Sequence, residues 1–473
     1  MSNIKLYLKI FDSLLLGGLI LCFVSCSDDS HFSIPNENEI VAFTITVNGE
    51  QKTGVKSELG DTITFKMAPG FNTSILEGLS PSIFISGYAT ISPLTSVAQN
   101  FNEPVKYNVT ANNGTVREWI IKWTYGNRIE DGNGGGATIP LWYKSPADLG
   151  ISATGLENSI GVSGDYLVFS RSHKTVNKYT GEPTQKMLNI SGVPGQIFFL
   201  VNDDKGNLVG CTLPAVSSGK FNVYKWTSID NTPELIYTED YTTGGMPGRK
   251  FDIAGDVNGT AIFSTNMYEN GISNGTIRRW KVTGGNITSE INSVSVPIGE
   301  EYPAKPTSIK WQAFAMSAPE ENARFYTTVP ALLWGTLYSG IVIKYGTPDD
   351  GAALNKFRGS FVQDDGSAGG AYWGNLIHGH VSAFDFNGKT YIGTCGFAWS
   401  RFTYCVVADE DLFPNCVGKN IGNWYGEIPF PASGVGNATS SITVSNENND
   451  SMLFYIYVEG GGVACGRMTR FER

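Results

Sequence analysis

From about residue 40 onward, apolar and polar positions alternate with period two over much of the chain. Val41, Phe43, Ile45 and Val47 alternate with their neighbours, as do Ile63, Phe65 and Met67. Val105, Tyr107 and Val109 alternate up to the turn Asn112-Asn113-Gly114, and Trp119, Ile121 and Trp123 alternate after it. Side chains two apart share one face of a strand, so runs of this kind separated by Gly and Asn turns predict half-buried antiparallel strands. About 90 residues of such strands suit an immunoglobulin-like β-sandwich, predicted for residues 40–126. Trp119 and Trp123 fall on one face and are expected in its core.

A second pattern fills residues 139–473. A turn carrying Asp, Asn or Gly leads into an apolar strand, and a second strand with an aromatic or basic end follows. The apolar strands start near Tyr166, Asn207, Thr260, Arg324, Lys389 and Met452. Their partners start near Val176, Val223, Ile277, Val342, Tyr404 and Cys465. A hairpin with one apolar face cannot stand alone. A ring of such units buries those faces and leaves only short edges, as in a β-propeller. Six blades are favoured, with seven as the alternative, because the long unit between residues 300 and 400 has room for another. Further β-sandwiches are the competing architecture. The prediction is an all-β protein: a β-sandwich, a Gly-rich linker at 127–138 and a β-propeller.

Composition agrees with this reading. The chain has 473 residues, 41% hydrophobic and 12% aromatic, with 56 glycines and only 16% charged residues. Glycine supplies tight turns and aromatics fill pleated surfaces. The formal net charge of -10 repels phosphate backbones, so nucleic acid is not an expected partner.

The first 25 residues read differently. Lys5 and Lys9 precede an apolar run, Leu14 to Val24, that ends in Ser25-Cys26. A charged start, a short apolar run and a small residue before the cut describe a signal peptide. The run is about half the length of a membrane-spanning helix. Phe23-Val24-Ser25-Cys26 resembles the lipobox of bacterial lipoproteins, with Phe23 in place of the usual Leu. The resemblance implies that Cys26 is acylated and becomes the new N-terminus. Ser27-Asp28-Asp29 resembles the acidic tag that sends some lipoproteins to the outer face of the outer membrane. Residues 26–39 then form a polar tether. The expected location is the outer membrane, lipid-anchored and facing the cell exterior.

Five further cysteines remain: Cys211, Cys395, Cys405, Cys416 and Cys465. No CxxC occurs among them, which argues against zinc and thioredoxin-like sites. Cys395–Cys405 and Cys405–Cys416 bridges are both open outside the cytoplasm. Buried apolar thiols are the alternative.

No HExxH, GxSxG, Walker loop or EF-hand loop is present, and no catalytic residue is assigned. His378 and His380 form H-x-H in "DDGSAGGAYWGNLIHGHVSAFDF". On a strand both rings could face one metal, with Asp364, Asp365 or Asp385 completing the set. Histidines satisfied within the packing are commoner, so neither a metal nor a cofactor is expected. His173 follows a strand in a polar loop and is expected to be solvent-exposed. Acids at Asp-Asp and Asp-Gly turns, such as Asp364 and Asp365, read as turn formers. The aromatics Tyr372, Trp373, Trp399, Trp424 and Tyr425 lie in Gly-rich, non-alternating stretches, as do Trp142, Tyr143 and Trp334. Exposed rings stack on the apolar faces of sugars, and nearby polar groups such as His378 and His380 then fix orientation.

The segments "FVSCSDD", "SGDYLVFSRS", "NKYTGEPTQKMLNISGVPG", "VNDDKGNLVGCTL" and "GRKFDIAGDVNGTAIFS" together resemble an uncharacterised family of two-domain surface lipoproteins from gut commensal bacteria. The hairpin "VKYNVTANNGTVREWIIKWTY" is similar to the closing hairpin of small sandwich modules on such proteins. The resemblance implies the location and the two-domain fold and supplies no activity. The leading expectation is a non-catalytic surface binding protein for glycan or glycopeptide. A propeller hydrolase or lyase is one alternative, and an adhesin or assembly partner of another surface protein is the other.

Overall fold

The structure is a computed structural model that describes residues 35–47, 50–58, 60–67, 71, 73–134, 139–153, 157–214, 219–241, 245–269, 272–296, 312–330, 341–350, 354–358, 380–398, 402–409 and 439–472. Among these residues the chain is all-β: strands joined by turns, two short 3-10 segments and no α-helix. It divides into two compact units. The first is built from the strand Ile40–Val47 with Gln51–Phe65 and Thr73–Trp123, and the second is chiefly Thr124–Arg473.

The first unit holds a three-stranded and a five-stranded sheet. The predicted alternation is visible from Phe43 to Val47, where Phe43, Ile45 and Val47 are buried, whereas Val41, expected on the same face, is exposed beside the register shift between Ile40 and Ala42. Phe43 from the smaller sheet stacks on Phe65 from the larger at 6.0 Å, and Phe101 meets both rings edge-on. This aromatic trio is the centre of the unit's core. Trp119 is fully buried and donates its indole N–H to the carbonyl of Asn38 at 3.1 Å, while Trp123 is only half-buried.

The second unit holds six antiparallel sheets among the described residues. The first sheet is Ile160–Ser163, Tyr166–Phe169, Lys174–Asn177 and Pro183–Met187. The second is Ile197–Asn202, Leu208–Thr212, Lys220–Trp226 and Glu234–Asp240. The third is Met246–Gly255, Thr260–Glu269, Ile272–Thr283 and Asn286–Ser295. The fourth is Phe314–Met316, Phe325–Pro330, Ile341–Gly346 and Asn355–Arg358. The fifth shows three strands, His380–Phe386, Lys389–Ala398 and Phe402–Asp409. The sixth is Ser440–Asn448, Ser451–Val458 and Gly462–Thr469, and its fourth strand is Ile139–Lys144 from the start of the unit.

The first strand of each sheet lies against the first strand of the next, and that of the sixth against that of the first. Among the described residues these contacts run in a closed order. Apolar clusters fill the seams: Val168, Ile197, Leu208 and Trp226 join sheets one and two, and Phe199, Phe221, Phe251, Phe263 and Trp280 join two and three. Fourth strands such as Pro183–Met187 are largely exposed. Solvent thus meets the outer edge and the core sits toward the axis.

The structure corrects three sequence expectations. The strands starting at Tyr166, Asn207, Thr260, Arg324, Lys389 and Met452 occupy the second position in their sheets, and a further strand precedes each of them. Trp142 and Tyr143 stand on the strand that completes the sixth sheet, not in a loop. Trp142 packs on Tyr455 at 6.1 Å, because strand closure turns its ring into the seam with sheet one. Within the stretch expected as linker, residues 127–134 are tied to sheets five and six. The amides of Ile129, Gly132 and Gly134 donate to the carbonyls of Arg470, Asn387 and Thr469.

Candidate functional site

A bulge in the third sheet aims charge at the ring axis. Pro247 pairs with Met267 and the next pair is Phe251 with Thr265, so extra residues are inserted into the first strand. Gly248 has φ 104° and Arg249 φ 65°, the left-handed conformation that favours glycine. Thr265 holds the bulge: its hydroxyl accepts the amide of Gly248 at 3.0 Å and donates to the carbonyl of Lys250 at 3.1 Å.

The bulge delivers Lys250 to the axis. Its Nζ donates to the carbonyl of Ser440 at 3.3 Å, on the first strand of the sixth sheet, and lies 5.9 Å from the ring of Phe199 on the second. His380, on the fifth, is 5.6 Å from the same ring. Sheets three and six are not neighbours in that order, nor are two and five, so these contacts join first strands that are not adjacent. His380 is buried, and its Nδ1 accepts the amide of Ile442 at 3.0 Å. Burial, reinforced by the charge of Lys250, holds its pKa well below the usual histidine value. His380 is therefore satisfied within the packing, the commoner of the two settings expected for a histidine of the H-x-H pair.

Two buried carboxylates sit at the seam of sheets six and one. Glu157 accepts the amides of Arg171 at 2.7 Å and Ser172 at 2.9 Å. Glu459, in the turn after Ser451–Val458, accepts the amide of Thr439 at 3.0 Å through Oε2. Its Oε1 and the hydroxyl of Thr439 are buried with no hydrogen-bond partner among the described residues. Burial pushes Glu459 up to about 7; the charge of Glu157 adds to this and Arg171 opposes it. His173 also differs from expectation. It is buried, with φ 60°, because its backbone closes a turn onto Phe169 and Leu188.

A second charged group lies toward the other ends of the first strands. Asp204 accepts the amide of Gly255 at 2.6 Å, Asp252 accepts that of Met316 at 3.2 Å, and Asp385 accepts the hydroxyl of Thr390 at 2.7 Å. The first two bonds staple sheet two to three and three to four. Burial, then the charges of Asp385 and Asp203, push Asp204 up to about 6. Burial, then the charge of Asp204, pushes Asp252 up to about 7. Asp203 is the turn former that its Asp-Asp setting predicts, since its Oδ1 accepts the amides of Lys205 and Asn207.

Of the residues singled out by sequence, Cys26, Tyr372, Trp373, His378, Trp399, Trp424 and Tyr425 lie outside the described residues, as do Trp334, Asp364, Asp365 and Cys416. Lys250, Glu157, Glu459, Asp204 and Asp252 were not singled out. Pro247-Gly248 inside an apolar strand was the one local signal, since that pair marks a bulge. Among the described residues no group of three His, Cys, Asp or Glu is arranged to hold a metal ion.

Several solved structures are similar to the chain. A DUF4623 family protein from Bacteroides eggerthii is 14% identical, covering 91% of this chain and 98% of its own, with a TM-score of 0.45. A mutant of AofleA from Arthrobotrys oligospora is 9% identical over 65% of this chain and 81% of its own, with a TM-score of 0.37. An endo-arabinase from Bacteroides thetaiotaomicron is 12% identical over 61% of this chain and 99% of its own, with a TM-score of 0.33. No curated protein matches. Residues 142–306 match the family model of a domain of unknown function, DUF8500. Residues 40–122 match the family model "SGBP, N-terminal", so the chain joins an SGBP N-terminal domain to a domain of unknown function.

Proposed function

We propose that the chain is a lipid-anchored surface protein that binds glycan or glycopeptide without cutting it. The observation that carries this reading is the match of residues 40–122 to the SGBP N-terminal domain, SGBP being surface glycan-binding protein. On this reading residues 1–25 are a leader, Cys26 bears the lipid at the outer membrane, and 26–39 is a tether to the cell exterior. Residues 40–126 are an immunoglobulin-like spacer, a reading supported by the two sheets that meet through Phe43, Phe65 and Phe101. Residues 139–473 are a six-bladed propeller, supported by the ring of first strands and by the closing strand Ile139–Lys144.

The ligand is held by stacking on Tyr372, Trp373, Trp399, Trp424 and Tyr425. Rings of this kind offer flat apolar area at low entropic cost. Affinity electrophoresis of the mature chain against a panel of neutral and acidic polysaccharides tests the proposal. Retardation by at least one polymer, lost in Trp373→Ala, is expected. Unchanged mobility in every gel contradicts it.

One observation favours a second reading, hydrolysis. Asp204, Asp252 and Asp385 interact electrostatically, and Asp252 is held near neutral pKa, as a general acid must be. Release of reducing ends from a panel polymer, abolished by Asp252→Asn, would replace binding by cleavage.

A further inference from the structure

We infer that Arg249 selects glycans that carry a carboxylate, so that uronate-containing polymers are the class this protein captures. The selection rests on the glycan-binding reading and names its ligand class. It begins in the bulge of Met246–Gly255. Glycine adopts the left-handed region freely, so Gly248 sits there without strain, whereas Arg249 at φ 65° does not. Backbone strain at a non-glycine residue clusters at ligand sites, and bulges beside such sites re-aim a side chain. Here the side chain is a guanidinium. Arg249 is half-buried and lies over the ring of Tyr268, 5.1 Å from its centre.

The support beneath that guanidinium is rigid. The hydroxyl of Tyr268 accepts Nδ2 of Asn266 at 2.7 Å, and the same Nδ2 donates to the carbonyl of Gln312. Oε1 of Gln312 accepts the hydroxyl of Ser273 at 2.6 Å, and its Nε2 donates to the hydroxyl of Thr327 at 3.0 Å. All five residues are buried. The network spans sheets three and four, so the ring under Arg249 is held in place before any ligand arrives. A platform ordered in advance lowers the entropic cost of binding.

Charge sets the ligand class. Lys250, next in the chain, is buried and adds a second positive charge. Burial lowers the pKa of Arg249, which Tyr268 opposes, so an anion brought beside it offsets a desolvation cost. The acids near the starts of the first strands, Glu157 and Glu459, are buried at the seam of sheets six and one and accept backbone amides. A guanidinium presents a planar fork that matches the two oxygens of a carboxylate. A uronate carries that carboxylate where a neutral hexose carries a hydroxymethyl group, so the fork separates the two. The net charge of -10 repels a polyanion at long range, which leaves recognition to this local pair of cations.

The mature chain is run through affinity gels that hold polygalacturonate or alginate, each beside its carboxyl-reduced form, and dextran sulfate beside dextran. Retardation by at least one uronate polymer is expected, roughly tenfold weaker after carboxyl reduction. Arg249→Gly should abolish that retardation while its melting temperature stays at or above that of wild type, because glycine takes φ 65° freely. Lys186→Gln removes an exposed cation from the outer strand Pro183–Met187 and should bind as wild type does. Retardation by neutral polymers alone, or by dextran sulfate alone, overturns the inference and leaves glycan binding standing. Retardation that survives Arg249→Gly, or that is lost together with a lowered melt, also overturns it. No retardation in any gel removes the glycan-binding reading and the inference with it.

Discussion

The Nδ1 of His380 accepts the backbone amide of Ile442 at 3.0 Å and so joins the first strands of the fifth and sixth sheets. The bond requires a neutral ring nitrogen as acceptor. Burial supplies that state by holding the pKa well below 6.5. The folded protein therefore binds fewer protons than the unfolded chain at acid pH, and stability falls as pH drops through the unfolded value of 6.5. Denaturant midpoints measured between about pH 5 and pH 8 should show this fall. His380→Gln keeps an acceptor and should flatten it. His380→Leu leaves the Ile442 amide unpaired and should cost about 1–3 kcal/mol at neutral pH.

Glu459 acts in the opposite direction. Its pKa rises from 4.5 to about 7, so the folded state holds its proton more tightly than the unfolded chain. Its contribution is fully favourable below the unfolded value and is lost as pH climbs from 4.5 to about 7. The loss is about 3 kcal/mol at most. Glu459→Gln keeps an acceptor for the Thr439 amide and removes the titration. At about pH 8 the variant should melt above wild type, and at about pH 5 the two should nearly coincide.

Lys178 and Glu447 form a buried ion pair at 3.0 Å across the seam of sheets one and six. Desolvation opposes the charge on Lys178, but the hydrogen bond and charge of Glu447 win and raise its pKa. Removing one partner strands the other. Lys178→Met should cost about 3–5 kcal/mol, and adding Glu447→Gln should return part of that loss, measured by chemical denaturation of the single and double variants.

Gly466 faces Phe454 on the neighbouring strand so closely that a Cβ would come within 2.1 Å of the ring. Gly466→Ala should lower stability by about 1–3 kcal/mol through overpacking. Phe454→Leu should offset part of that, which thermal melts of the pair would reveal.

The strands that were legible in the sequence are those with one wet and one dry face. Ile40–Val47 alternates from Phe43 onward because solvent bathes one side of it. The first strands of the ring escaped for the reverse reason. Ile197–Asn202 is buried on both faces, so its run of apolar residues carries no period. In Met246–Gly255 the bulge at Gly248 breaks any period, and Phe314–Met316 is too short to show one. The closing strand Ile139–Lys144 pairs with Gly462–Thr469, a contact between opposite ends of the unit that no local pattern encodes. The site divides the same way. Lys250 and Glu459 matter through what the ring brings next to them, Ser440 and Thr439, and neither has a motif. His380 was visible as a histidine on a strand, but which way the strand faced was not.

Closure also makes a prediction. A chain beginning at Ser145 leaves Gly462–Thr469 as an unpaired edge and exposes the cluster around Tyr455 and Cys465. It should elute as aggregate on size exclusion, whereas a chain beginning at Thr124 should elute as a monomer with a cooperative melt.

The central claim, glycan capture at the cell surface, is met most directly by cells. Bacteria expressing the full chain, and others expressing Cys26→Ala, are incubated with fluorescent polysaccharides and read by cytometry. The account predicts that at least one polymer labels the wild-type cells and that the label disappears from Cys26→Ala cells. Cells that stay dark with every polymer, or that are labelled equally with and without Cys26, would contradict it.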